Sequence, residues 1–67
     1  MTTGKGTKEH LVTELPNGYK VSTIKIDGKW ETMVFDNFGD EVYCHEEPYK
    51  NEAKHYHNMA VYEYMAA

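Results

Sequence analysis

The stretch YKVSTIKIDGKWETMVF, residues 19–35, decides how this chain folds. Its first half holds the β-branched residues Val21, Thr23, Ile24 and Ile26, and its second half Trp30, Thr32, Val34 and Phe35. Such residues favour the pleated backbone of a strand. Asp27-Gly28 sits between the two runs, and an Asp-Gly pair tolerates the positive φ angles of a two-residue hairpin turn. A two-residue turn sets Ile26 opposite Lys29, Ile24 opposite Glu31, Ser22 opposite Met33 and Lys20 opposite Phe35, all on one face. On the other face Lys25 meets Trp30, Thr23 meets Thr32 and Val21 meets Val34. The first face carries Ile24, Ile26, Met33 and Phe35, which makes it the expected core face.

Working outward, Leu11, Thr13 and Leu15 alternate with Val12 and Glu14 before Pro16-Asn17-Gly18, a second turn signal. After the hairpin, Asp36 to Asp40 forms a longer turn and Glu41 to Glu46 another strand. The predicted strands cover residues 10–15, 19–26, 29–35 and 41–46. Pro48 ends the strand region, and a helix is expected over residues 51–64, with Asn51 as its N-cap and Glu52 near the positive end of its dipole. Ala53, Tyr56, His57, Ala60, Val61 and Tyr64 recur at helical spacing as one apolar stripe. The expected fold class is α+β: a four-stranded antiparallel β-meander with one C-terminal α-helix packed on one face. The expected core is Ile24, Ile26, Met33, Phe35, Ala53, Tyr56, His57, Ala60 and Val61. Residues 1–9 read as a flexible polar arm, and residues 10–67 as one small α+β domain.

Composition bounds the function. The chain has 67 residues, seven Lys, no Arg and eleven acidic residues, for a net charge of −4. Nucleic-acid binding draws on Lys and Arg to neutralise phosphates, so nucleic acid is not the expected partner. One Cys cannot form an internal disulfide. No apolar run approaches the roughly 20 residues that a membrane helix needs. The expectation is a soluble protein of a bacterial cytoplasm, with no membrane partner and no cofactor.

Cys44, His45, His55 and His57 are the metal-type ligands. Adjacent strand residues point to opposite faces, and helix residues two apart diverge by about 200°, so at most one of each pair converges. No metal site is expected within the chain. Cys44 has no nucleophile elbow or Gly-rich loop around it, and no catalytic role is expected for any residue. His57, inside the apolar stripe, reads as a half-buried ring bonded to a strand group, with Glu31 the expected partner. A second helical stripe, His55, Met59 and Tyr62, lies beside the first and carries residue types favoured at interfaces. Trp30, Met59 and Tyr62, with the acidic residues Asp40, Glu41, Glu46 and Glu47, are therefore the expected protein-binding residues.

The strand Trp30-Glu31-Thr32-Met33-Val34-Phe35 and the helix Tyr49-x-x-Glu52-Ala53-x-x-x-His57 together resemble short proteins of unknown function from bacteriophage and prophage genomes. The resemblance covers the second half of the chain. It departs from the pattern at Tyr56, where a small residue precedes the histidine, and in the Asn58-Met59-Ala60 arrangement. It implies a phage-associated accessory protein but no specific activity. The expected function is non-enzymatic binding: an inhibitor that occludes a basic site on a larger host defence or nucleic-acid-handling protein. The alternative is a self-associating structural protein, a homodimer with a His/Cys metal site between chains.

Overall fold

The computed structural model describes residues 10–67, and the expected arm over residues 1–9 lies outside the described residues. Four strands follow in order, β1 His10–Glu14, β2 Lys20–Ile26, β3 Lys29–Phe35 and β4 Glu41–Glu47, and then the helix α1 Lys50–Tyr64. The strands form one antiparallel sheet in chain order. The helix lies over β2, β3 and β4. The fold is the expected α+β meander.

The central hairpin has the register read from its turn, from Ile26 opposite Lys29 to Lys20 opposite Phe35. Asp27 (φ 52°) and Gly28 (φ 78°) both adopt positive φ, the requirement of a type I′ turn, whose twist matches that of the flanking strands. The other two turns share one geometry. Leu15 N–H donates to Tyr19 C=O at 2.8 Å and Gly18 N–H to Leu15 C=O at 3.0 Å; Asp36 donates to Asp40 and Gly39 to Asp36 in the same pattern. Both turns sit at the same end of the sheet and touch. A Cβ built on Gly18 (φ 93°) would lie 2.8 Å from Asn37 Cβ, whereas one on Gly39 (φ 88°) meets nothing. Gly39→Ala should therefore cost about 1 kcal/mol, the strain of a left-handed alanine. Gly18→Ala should cost about twice that, because the turns must also part. Urea unfolding of both variants measures the difference, and equal losses would mean that the contact carries no energy.

The helix covers the opposite sheet face from the expected one. Val21, Thr23, Trp30, Thr32 and Val34 are buried beneath it, while Ile24, Met33 and Phe35 are only half-buried on the uncovered face and Ile26 is 40% exposed. The helical part of the expected core stands, with Ala53, His57 and Ala60 buried and Tyr56 and Val61 half-buried. The reason for the reversal is chemical. His57, 4% exposed, has two ring nitrogens that need partners, since a buried polar group without one is costly. Its Nδ1 lies 2.7 Å from Thr23 Oγ1 and its Nε2 2.9 Å from Thr13 Oγ1; Thr23 Oγ1 in turn lies 2.8 Å from Thr32 Oγ1. Only this face offers a row of hydroxyls. Glu31, the expected partner, is on the other side of the sheet.

Leu15, Val21, Val34 and Ala60 make the apolar cluster, with Tyr19, Tyr43, Val61 and Tyr64 packed around it. Tyr64 sits between Tyr19 and Tyr43, with ring centroids 6.0 and 6.2 Å away. The buried helix residues are small apart from His57, which lets the helix approach the sheet closely. The helix begins one residue earlier than predicted, and its N-cap is Tyr49, with no side-chain cap bond, in place of Asn51. At its other end Asn17 Nδ2 donates to the carbonyls of Tyr64 (2.9 Å) and Ala67 (3.1 Å).

Candidate protein-binding surface

The back of α1 is the most apolar exposed patch of the helix. The core stripe centres on Ala53, His57 and Ala60, and at about 100° per residue His55 and Tyr62 fall on the opposite side. Tyr62 is 83% and Met59 49% exposed. With His55, Asn58 and Glu63 they line a shallow, open groove of about 450 Å³. Tyr56 turns toward β4, its ring 4.0 Å from that of His45, so the same helical flank carries Glu52 and Glu63 toward β4.

That flank is acidic. His45 Nε2 lies 2.6 Å from Glu47 Oε2. The bond to His45, and a further one from Glu52, hold the Glu47 carboxyl below the usual carboxylate range, while sharing a proton with Glu47 pushes Glu52 up. Asp40 and Glu41 are exposed at the start of β4. Glu46 is exposed on the uncovered sheet face, opposite Glu31 and 3.9 Å from Lys29 Nζ. Glu31 is raised above the usual range, first because neighbouring side chains displace its water and then through its hydrogen bond to Glu46.

The expected binding residues therefore divide. Met59 and Tyr62 share the helix groove, and Asp40, Glu41, Glu46 and Glu47 share β4 on its two faces. Trp30 is a correction: at 4% exposure it lies under the helix, with Lys50 Nζ 5.9 Å from its ring centroid, and is a core residue. Phe38 was missed. It is 83% exposed at the β3–β4 turn, which Asp36 braces by accepting from the N–H groups of Phe38 and Asp40. The signal was an aromatic residue inside a turn sequence, Asp36-Asn37-Phe38-Gly39. Beside it a cleft of about 500 Å³ opens between the two touching turns, lined by Glu14, Tyr19, Lys20, Phe35 and Asp36, with Lys20 Nζ 5.7 Å from the Phe35 ring centroid.

The metal-type ligands scatter as their spacing predicts. Cys44 is exposed beside Met33 on the uncovered face, His45 is on the helix side, His55 is on the outer helix face and His57 is buried. Among the described residues no group of three His, Cys, Asp or Glu side chains could hold a metal ion. Partial burial, then the charges of Glu41, Glu31 and Glu46, push the Cys44 thiol up, away from the reactive thiolate. His10 Nε2 lies 2.9 Å from Ser22 Oγ. Ser22 belongs to a strand paired on both sides, so its neighbouring amides are committed to ladders and do not form an oxyanion hole.

Fold and surface together define a class, a small sheet-and-helix domain with an acidic edge and an apolar helix back. No protein family, curated protein or solved structure matches the chain. Among the described residues no helix is long and apolar enough to cross a membrane.

Proposed function

We propose that this chain is a non-enzymatic binding protein, a phage-type accessory inhibitor that occludes a basic site on a larger host protein. The observation that carries the reading is the back of α1, where Tyr62 and Met59 stand exposed around a shallow groove that Glu63 also lines. A domain this small has little apolar surface to spare from its core. Tyr and Met are residues that supply interface contact, Tyr as a rigid ring and Met as an adaptable filler. The rim of Glu52, Glu63 and Glu47, with Glu41 and Asp40 further along β4, favours a positively charged partner and speeds its approach. The raised Cys44 thiol and the committed amides around Ser22 support a role without covalent chemistry.

Affinity capture from bacterial lysate tests this. The wild-type chain should retain one stoichiometric partner that the Met59→Ala/Tyr62→Ala variant does not, and salt of about 0.5 M should weaken retention by screening the carboxylates. With the partner in hand, reversing Glu52 and Glu63 to Lys should slow association, whereas Tyr62→Ala should mainly speed dissociation. Identical capture by the wild type and the double variant overturns the assignment of the helix face.

A further inference from the structure

Among the described residues the sheet has two open edges, and they are chemically unlike. An edge strand presents unpaired N–H and C=O groups that another strand can use, and charged side chains are a common guard against such pairing. Strand β4 is guarded. Antiparallel pairing with its own copy about Cys44 would set Glu41 against Glu47 and Val42 against Glu46, and the irregularity at Val34/Phe35 already breaks its ladder. Like charges placed opposite each other are destabilising.

Strand β1, His10-Leu11-Val12-Thr13-Glu14, sets no like charges opposite each other when it meets its own copy. Leu15 N–H donates to Tyr19 C=O. Alternation along an antiparallel ladder then turns the amides of Thr13 and Leu11 toward β2 and leaves those of His10, Val12 and Glu14 facing outward. The same three residues project onto the uncovered sheet face, where Val12 is 47% exposed. The strand is complementary to itself. Reversed about Val12, it sets Val12 against Val12, Leu11 against Thr13, and a histidine against a glutamate at both ends.

We propose that β1 pairs antiparallel with β1 of a second copy, centred on Val12, to make a two-fold dimer with one continuous eight-stranded sheet. The outward amides of Val12 pair with those of its copy, and His10 and Glu14 of one chain pair with Glu14 and His10 of the other. The two helices lie on the same side of the joined sheet. Both outer edges of the dimer are then β4, whose carboxylates stop further growth, so association closes at two copies. This does not rest on the partner-binding reading, because the helix back and β4 stay accessible in the dimer.

Sedimentation equilibrium of the full chain from about 1 µM to about 1 mM spans the affinity range that a single strand pair can reach. The wild type should pass from monomer to dimer and no further. Val12→Pro removes an amide that β1 does not use within its own sheet, and edge strands tolerate proline, so this variant should stay monomeric with unchanged circular dichroism. His10→Glu, which places like charges at both ends, should weaken the dimer about tenfold, and His10→Glu combined with Glu14→Lys should restore it. A wild type that is monomeric throughout overturns the proposal. So does a dimer that chelator dissolves, one that a folded Val12→Pro variant retains, or a charge swap that fails to recover pairing.

Discussion

Trp30→Ala is expected to leave the chain largely unfolded at room temperature. The indole is 4% exposed, beneath the first turns of the helix, where Lys50 extends over it. Truncating a buried aromatic residue costs about 3–5 kcal/mol, from lost transfer energy and the cavity left behind. The core of a domain of this size rarely supplies more than about 3–5 kcal/mol, so the loss is comparable to the whole. Phe35→Ala is the informative contrast. Phe35 is half-buried on the uncovered face, and its truncation should cost about 1–2 kcal/mol. Thermal melts by circular dichroism separate the two. A Trp30→Ala variant that melts like the wild type beside an unfolded Phe35→Ala variant would place the helix on the other face.

His57→Ala should be nearly as damaging, for a different reason. It removes a ring that bridges β1 and β2 to the helix, leaving the Thr13 hydroxyl without its partner and that of Thr23 with Thr32 alone. A buried polar group left unpaired costs about 1–3 kcal/mol, and the cavity adds to that. The same ring gives the fold a pH dependence. Burial pushes the His57 imidazole below the ordinary histidine value, so the unfolded chain takes up its proton at higher pH than the folded one. Stability supplied by neutral His57 is therefore complete above about pH 6.5, the ordinary histidine value, and falls as pH drops through it. Urea unfolding at pH 7.5 and 5.5 should show a larger drop for the wild type than for His57→Gln, which keeps polar atoms but does not titrate. The other histidines are common to both chains and cancel. Equal drops would show that His57 does not set the dependence.

The topology was legible because local signals agreed. Asp27-Gly28 fixed one register, alternating residues defined strands on either side, and the change to helical spacing after Pro48 marked the last element. The covered face was misread because apolar character alone was weighed, and by that measure Ile24, Ile26, Met33 and Phe35 are no poorer a core than Tyr19, Val21, Trp30 and Val34. The better guide was the histidine inside the helix stripe, whose two nitrogens required a face with hydroxyls, and Thr13, Thr23 and Thr32 lie in adjoining strands of one face. Trp30 was assigned to a binding surface by the same error. Met59 and Tyr62 were readable because helical spacing alone separates them from the core stripe. Phe38 escaped because a turn has no periodicity to betray an exposed aromatic residue.

The Asn17 amide, bonded to the carbonyls of Tyr64 and Ala67, has a consequence for the order in which the molecule opens. The final carbonyls of a helix have no partners within it, and here a turn more than forty residues earlier supplies a donor to the last of them, that of Tyr64. Whenever the β1–β2 turn loosens, the last turn of the helix loses its stop and frays. Hydrogen exchange should then group the amides near Leu15 and Gly18 with those at the end of the helix, such as Met65 and Ala67, as one cooperative unit. The Asp27-Gly28 hairpin, closed by its own residues, should exchange independently of that unit.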